Sequence, residues 1–188
     1  MLLEIVDYQE NEKDIIHWVN LKGKYRYITI INFLKSKNIT CTWENVTNYI
    51  KCDKRILITA FKYIVFLEEL FKSFISKYKD IKQSVLLSYG FKKSLEEYLQ
   101  LGNNAEYENI DLNLLANEKE TIIEFRNSVV HNKILLNRTF NNKSLKEVLN
   151  IFVNILPNSY RNGFIKDINN CSKEIIDKLW HVELYDIK

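Results

Sequence analysis

Apolar residues recur three and four positions apart along most of the chain, the repeat of helices that bury one face. Within residues 10–21 the repeat runs through Ile15, Ile16 and Val19, with Asn11 or Asp14 near its start, and Gly23 breaks it. Residues 25–34 carry enough β-branched side chains for a strand. Tyr27, Ile30, Ile31 and Leu34 nevertheless fall at i, i+3, i+4 and i+7, so the segment is assigned to a helix. Thr42 stands where it caps a short amphipathic helix over residues 42–50. The clearest element opens at Asp53. There Ile56, Leu57, Ala60, Phe61, Ile64, Val65, Leu67, Phe71 and Phe74 make a broad apolar face over about six turns. Lys62, Glu69 and Lys72 fall on its other side.

A second long helix is expected over residues 80–99, interrupted near Ser88-Tyr89-Gly90, and a loop over residues 101–111 around Gly102-Asn103-Asn104. Helical spacing resumes through Leu115, Ile122, Phe125 and Val129, predicting a helix over residues 112–135, with a turn at 137–142. Ser144-Leu-Lys-Glu147 is a capping box opening a helix that ends at Pro157, and Ser172 caps a last helix ending around Trp180. The chain has no internal repeat, linker or low-complexity tract. The pattern predicts one all-α bundle of about six to eight helices. It divides into an N-terminal helical extension (1–50), a core bundle (53–156) and C-terminal helices (157–188).

Composition narrows this further. Four Gly and one Pro in 188 residues exclude collagen-like and Pro-rich disordered chains. They also argue against a many-turned β-sandwich. With 46% hydrophobic residues, a chain this long can fill a core unaided. The net charge of +3 falls short of an autonomous duplex-DNA binder, and the richness in Asn, Lys, Ile and Tyr is what AT-biased codons produce. Clustering of charge therefore matters more than its total. Cys41, Cys52 and Cys171 form no metal-ligand pattern and suit reduced thiols in a cytosolic protein. The start of the chain lacks the features of a signal peptide, and no window holds 18 uncharged apolar residues. A cytoplasmic protein that does not engage membranes is expected.

Most catalytic signatures are absent, including Gly-rich phosphate loops, G-x-S-x-G and H-E-x-x-H, and the chain has only three histidines. No metal or other cofactor is called for. One constellation remains: Phe125-Arg126-Asn127-Ser128-Val129-Val130-His131-Asn132-Lys133. On a continuous helix Asn127 and His131 stack at i, i+4, so the amide would orient the imidazole. Arg126 and His131 would lie about 140° apart around the axis and roughly 7.5 Å along it, too far for a tight pair. A forked Arg suits a phosphate, and His titrates near neutral pH. The bare Arg-x4–6-His spacing arises by chance in roughly one such chain in four, so its weight comes from the Asn after Arg126 and the apolar periodicity around it.

Arg126-Asn127-Ser128-Val129-Val130-His131 resembles the Arg-x4–6-His motif of the HEPN superfamily, polar residue after the arginine included. Residues 53–75 resemble the first long helix of the Abi-like (abortive infection) branch, and the likeness spans about 53–156. The resemblance implies an endoribonuclease that needs no metal, acting in prokaryotic antiviral defence or as a toxin. It implies a composite site where two motif helices meet in a homodimer. His131 would be general acid or base, Arg126 would stabilise phosphoryl charge, and Asn127 would support. The products would carry 2′,3′-cyclic phosphate and 5′-hydroxyl ends. A toxin of this kind needs restraint by a protein or RNA antitoxin.

Lys22-Gly-Lys-Tyr-Arg-Tyr27 interleaves cations with aromatics, so Lys24 and Arg26 are candidate RNA contacts. Lys133, Arg138, Lys143 and Lys146 follow the motif and would flank its cleft, and the first three are candidate phosphate ligands. His17 beside Trp18 and His181 beside Trp180 are read as packing or surface residues. Phe61, Phe66, Phe71 and Phe74 are read as core or dimer seam. Two rival readings stand beside the ribonuclease. One is a non-catalytic RNA-binding or regulatory module of the same fold. The other is a helical DNA-binding protein, with residues 42–64 imitating a helix-turn-helix.

Overall fold

The computed structural model describes residues 2–102, 110–173 and 175. Over these residues the chain is an all-α bundle. A 3₁₀ turn (Leu2–Glu4) leads into α1 (Tyr8–Lys22), α2 (Lys24–Ser36) and the 36-residue α3 (Trp43–Tyr78). Then come α4 (Gln83–Leu87), α5 (Phe91–Leu101), α6 (Leu112–Asn117) and α7 (Lys119–Val130). A two-stranded hairpin, β1 (Thr139–Phe140) and β2 (Lys143–Ser144), precedes α8 (Leu145–Ile155) and α9 (Asn158–Asn170).

Helix α3 is the axis of the bundle, about 54 Å long, and α1, α2, α4, α5, α7 and α9 all pack against it. Its start is doubly capped. The Thr42 hydroxyl accepts from the Asn45 N–H at 3.2 Å, and the Asp7 carboxylate accepts from the Trp43 N–H at 2.7 Å. The break expected between residues 50 and 53 does not exist, because Lys51 and Cys52 contain nothing that stops a helix. One hydrophobic core runs from Ile5 to Cys171 across this point. No turn interrupts residues 43–64, the stretch that the rival DNA-binding reading took to imitate a helix-turn-helix. Aromatic rings join the elements. Phe71 packs against Tyr98 at 4.7 Å between centroids, and Phe125 meets Phe140 and Phe152 at 5.4 and 5.7 Å.

Several boundaries shift for local reasons. At Gly23 the backbone turns with φ 86°, a left-handed conformation that separates α1 from α2 and favours glycine. The long helix expected over 80–99 is two, α4 and α5, divided where Ser88-Tyr89-Gly90 suggested. The helix expected over 112–135 is also two, α6 and α7, and it stops at Val130. A Schellman cap ends it there: Asn132 takes φ 53°, its N–H donates to Val129 O, and the Lys133 N–H donates back to Ser128 O at 2.9 Å. Asn141 and Asn142 both take positive φ and form a hairpin turn inside the 137–142 segment. The Ser144–Glu147 capping box forms as expected. Helix α9 falls within the C-terminal helices expected over 157–188, though no start or stop was assigned to it, and the Ser172–Trp180 helix and His181 fall almost wholly outside the described residues. All three cysteines are buried, and none forms a disulfide among the described residues.

Asp53, expected at a helix start, sits inside α3 and is fully buried. Its Oδ1 accepts from the N–H groups of Leu135 and Leu136 at 2.7 and 3.1 Å, and its Oδ2 accepts from Arg26 Nη1 at 3.2 Å. One carboxylate therefore fastens α2, α3 and the segment after α7. Removing it leaves two buried N–H donors without an acceptor and the Arg26 guanidinium without its carboxylate, so Asp53→Ala should cost about 3–5 kcal/mol in urea unfolding. Burial raises the Asp53 carboxyl above its ordinary 3.8, outweighing the pull of the Leu135 and Leu136 N–H groups and of Arg26. The folded state thus holds this proton more tightly than the unfolded chain, and that contribution fades as pH rises from below 3.8 through the raised value. The stability of wild type relative to Asp53→Asn should accordingly fall with rising pH across that window and be flat above it, as urea midpoints at a series of pH values will show.

Candidate functional site

Helix α7 buries Ile122, Phe125 and Val129 and turns Asn127 and Val130 outward. The Arg126 guanidinium lies 5.7 Å from the centroid of Phe91 on α5, within cation–π range. Its Nη2 is 3.7 Å from Glu68 Oε2 on α3, and its Nη1 donates to Asn127 Oδ1 at 3.2 Å. The Asn127 amide therefore serves Arg126. The expected i, i+4 stacking on His131 does not occur, because His131 is the residue at which α7 ends. The His131 ring is exposed and makes no hydrogen bond among the described residues. Arg126 lines a cavity between α5 and α7, whereas His131 lines a separate cleft between α2 and residues 131–138. Within one copy the fold does not bring the two together.

The cleft of His131 has about 670 Å³ of open space and a one-sided lining. Lys22, Arg26, Lys133 and Arg138 border it, no carboxylate does, and Tyr25 stands at its edge 77% exposed. An adjoining groove shares Lys22 and Arg26 and adds Lys51, Lys54 and Arg55, again without a carboxylate. In a chain with 27 cations and 24 anions, such segregation is a local property that the total conceals. Cations of this density suit a phosphate backbone, and an exposed tyrosine among them offers a face for a base. The groups are held in place: Arg26 by Asp53 and by Asn132 O at 3.3 Å, and Lys54 by Asn132 Oδ1 at 3.0 Å.

The candidate RNA contacts divide accordingly. Arg26, Lys133 and Arg138 line the cleft, Arg138 with its Nη2 3.8 Å from Glu124. Lys143 does not line it and faces Glu118 at 3.4 Å, while Lys24 is exposed on the first turn of α2 outside the lining. Tyr25 and Tyr27 part company: the first is free at the cleft and the second is buried, stacked on Trp43 at 5.7 Å. His17 is exposed, and its ring meets that of its neighbour Trp18 edge-on at 5.2 Å. Lys51, Lys54 and Arg55 were not in the expected set. Their i, i+3, i+4 spacing marks one helical face, but only once α3 is continuous through residues 50–53. Among the described residues no group of His, Cys, Asp and Glu is arranged to hold a metal ion.

If the cleft holds a single-stranded nucleic-acid backbone, Lys22→Ala and Lys133→Ala should each weaken binding of a single-stranded RNA probe and lower the slope of log affinity against log salt by about 0.7. Lys143→Ala should leave both unchanged. Fluorescence anisotropy across a salt series checks this. No protein-family model, curated protein or solved structure matches the chain.

Proposed function

We propose that the protein is an endoribonuclease of the HEPN type, working without a metal ion as a dimer in prokaryotic antiviral defence or as a toxin. The observation that carries this reading is the position of His131 on the wall of a cationic cleft that no carboxylate lines. The resemblance of residues 126–131 to the HEPN motif supplies the reaction, and metal independence rests on that resemblance. In the proposed step the cleft cations hold the RNA backbone and His131 moves the proton. The 2′-oxygen gives up its hydrogen and bonds to phosphorus, and the bond from phosphorus to the 5′-oxygen breaks. That oxygen leaves as a hydroxyl, and the other end keeps a 2′,3′-cyclic phosphate. Arg126 stabilises the charge on the phosphoryl oxygens and comes from the second copy, because in its own copy it lines a different cavity. A protein or RNA antitoxin restrains the enzyme.

The second reading, an RNA-binding module that does not cut, draws on the engagement of Arg126 with Glu68 and Asn127. The two separate in one assay. Wild-type protein in EDTA should cleave RNA to cyclic-phosphate ends. His131→Ala and Arg126→Ala should each lower that rate by about 10²–10⁴-fold while circular dichroism stays unchanged. Wild-type protein that binds diverse RNAs and leaves them intact would establish the module instead.

A further inference from the structure

The cleft of His131 and the groove beside it are two hollows with one wall in common, because Lys22, Arg26 and Asn132 line both. Beyond that wall the groove runs over α3. Ile50, 8% exposed, lies at its floor, and Lys51 and Lys54 stand along it. The two lysines are three residues apart, so they share one face of the helix with about 4.5 Å of rise between them.

These charges are not taken up by acids. Lys51 is exposed and makes no hydrogen bond or ion pair among the described residues. Lys54 donates to the neutral Asn132 Oδ1 at 3.0 Å, and the Lys22 ammonium lies 4.3 Å from the centroid of the Trp18 ring. The common wall is also held in place, since Arg26 donates to Asn132 O at 3.3 Å. A polyanion that leaves the cleft therefore reaches α3 along a lining with no carboxylate in it.

We infer that the groove is an exosite for single-stranded RNA, which holds the stretch of strand next to the one in the cleft. The exosite rests on RNA occupying the cleft, and not on its being cut. Size excludes a duplex. Hollows of about 670 and 480 Å³ are on the scale of small-molecule pockets, so each takes about one or two nucleotides with their bases unstacked. The exposed ring of Tyr25 accepts a base at the cleft, and only an unpaired strand presents one. Ile50 gives the groove an apolar floor for the next base or sugar. An acidic peptide would answer the lysines but has no planar group beside each charge to lay on Tyr25. Filled together, the hollows require an unpaired run of about four nucleotides or more.

The full chain is titrated by fluorescence anisotropy against uncleavable 2′-O-methyl oligouridines of about three and about twelve nucleotides, the shorter filling the cleft alone. Wild type should bind the long strand at least about tenfold more tightly than the short one. Lys51→Glu should weaken the long strand about fivefold or more and leave the short strand within about twofold, with circular dichroism unchanged. Lys51→Gln should lower the salt slope of the long strand by about 0.7. Lys133→Ala, on the cleft, should weaken both strands. A duplex of the same length, and polyglutamate of matched charge, should each compete at least about tenfold more weakly than the single strand. The exosite is overturned if Lys51→Glu affects both strands equally or neither, or if the duplex or polyglutamate competes as well as the single strand. When Lys51→Glu affects neither and Lys133→Ala still weakens both, the exosite falls and the cleft keeps its RNA. Wild type that binds neither strand overturns the RNA reading and the exosite together. Wild type that shows the expected binding and leaves unmodified RNA uncut overturns the cleavage reading and supports the exosite.

Discussion

Asp53 is a carboxylate taken out of water in the middle of the longest helix, and the arrangement of the cleft follows from what it must bind. A buried charge is tolerated only when its lone pairs are filled. Asp53 fills them with two backbone N–H groups of one segment and the guanidinium of another helix. Those contacts fix Ile134–Leu136 against α3 and turn Arg26 to face the end of α7, so both walls of the cleft are set from one point. Arg26 is thereby both a strut and part of the cationic lining.

The end of α7 is the second determinant. A helix continuing through His131 would carry the imidazole around the same cylinder as Arg126 and Asn127. The Schellman cap at Asn132 stops it one residue earlier and releases the ring into the cleft. The cap is anchored in turn by α3 and α2, because Lys54 donates to the Asn132 side chain and Arg26 to its carbonyl. The separation of Arg126 from His131 is thus built into the local backbone.

Much of this was legible in the sequence where a local rule governs. The α2 periodicity, the Gly23 break, the Thr42 cap and the Ser144–Glu147 box each depend on residues within a turn of one another. The all-α class followed from the same periodicities and the scarcity of chain breakers. The failures were long-range. Nothing near Asp53 says that its partners are 27 and 82 residues away, so an aspartate that typifies a helix start was placed at one. Phe61 and Val65 fit the apolar repeat of α3 yet face outward, because periodicity identifies a stripe without telling what covers it. The candidate site was half legible: the motif and its cations stand in the chain, but which of them share a cavity depends on where α7 ends. Asn132 carried that signal, since asparagine is the common alternative to glycine at this position of a cap.

Charge distribution ties these parts together. The modest net charge of +3 averages over a local cluster, with Lys51, Lys54 and Arg55 of α3 together on the groove that adjoins the cleft. A surface ion pair adds little by itself, and a few lysines scattered among acids would not concentrate a polyanion. Asp53, the buried acid of α3 beside the cleft, is turned inward onto Arg26 and two N–H groups and does not enter the lining, so the cleft and its adjoining groove present cations to the surface. The burial that stabilises the cleft walls is therefore also what leaves the cleft electrostatically positive.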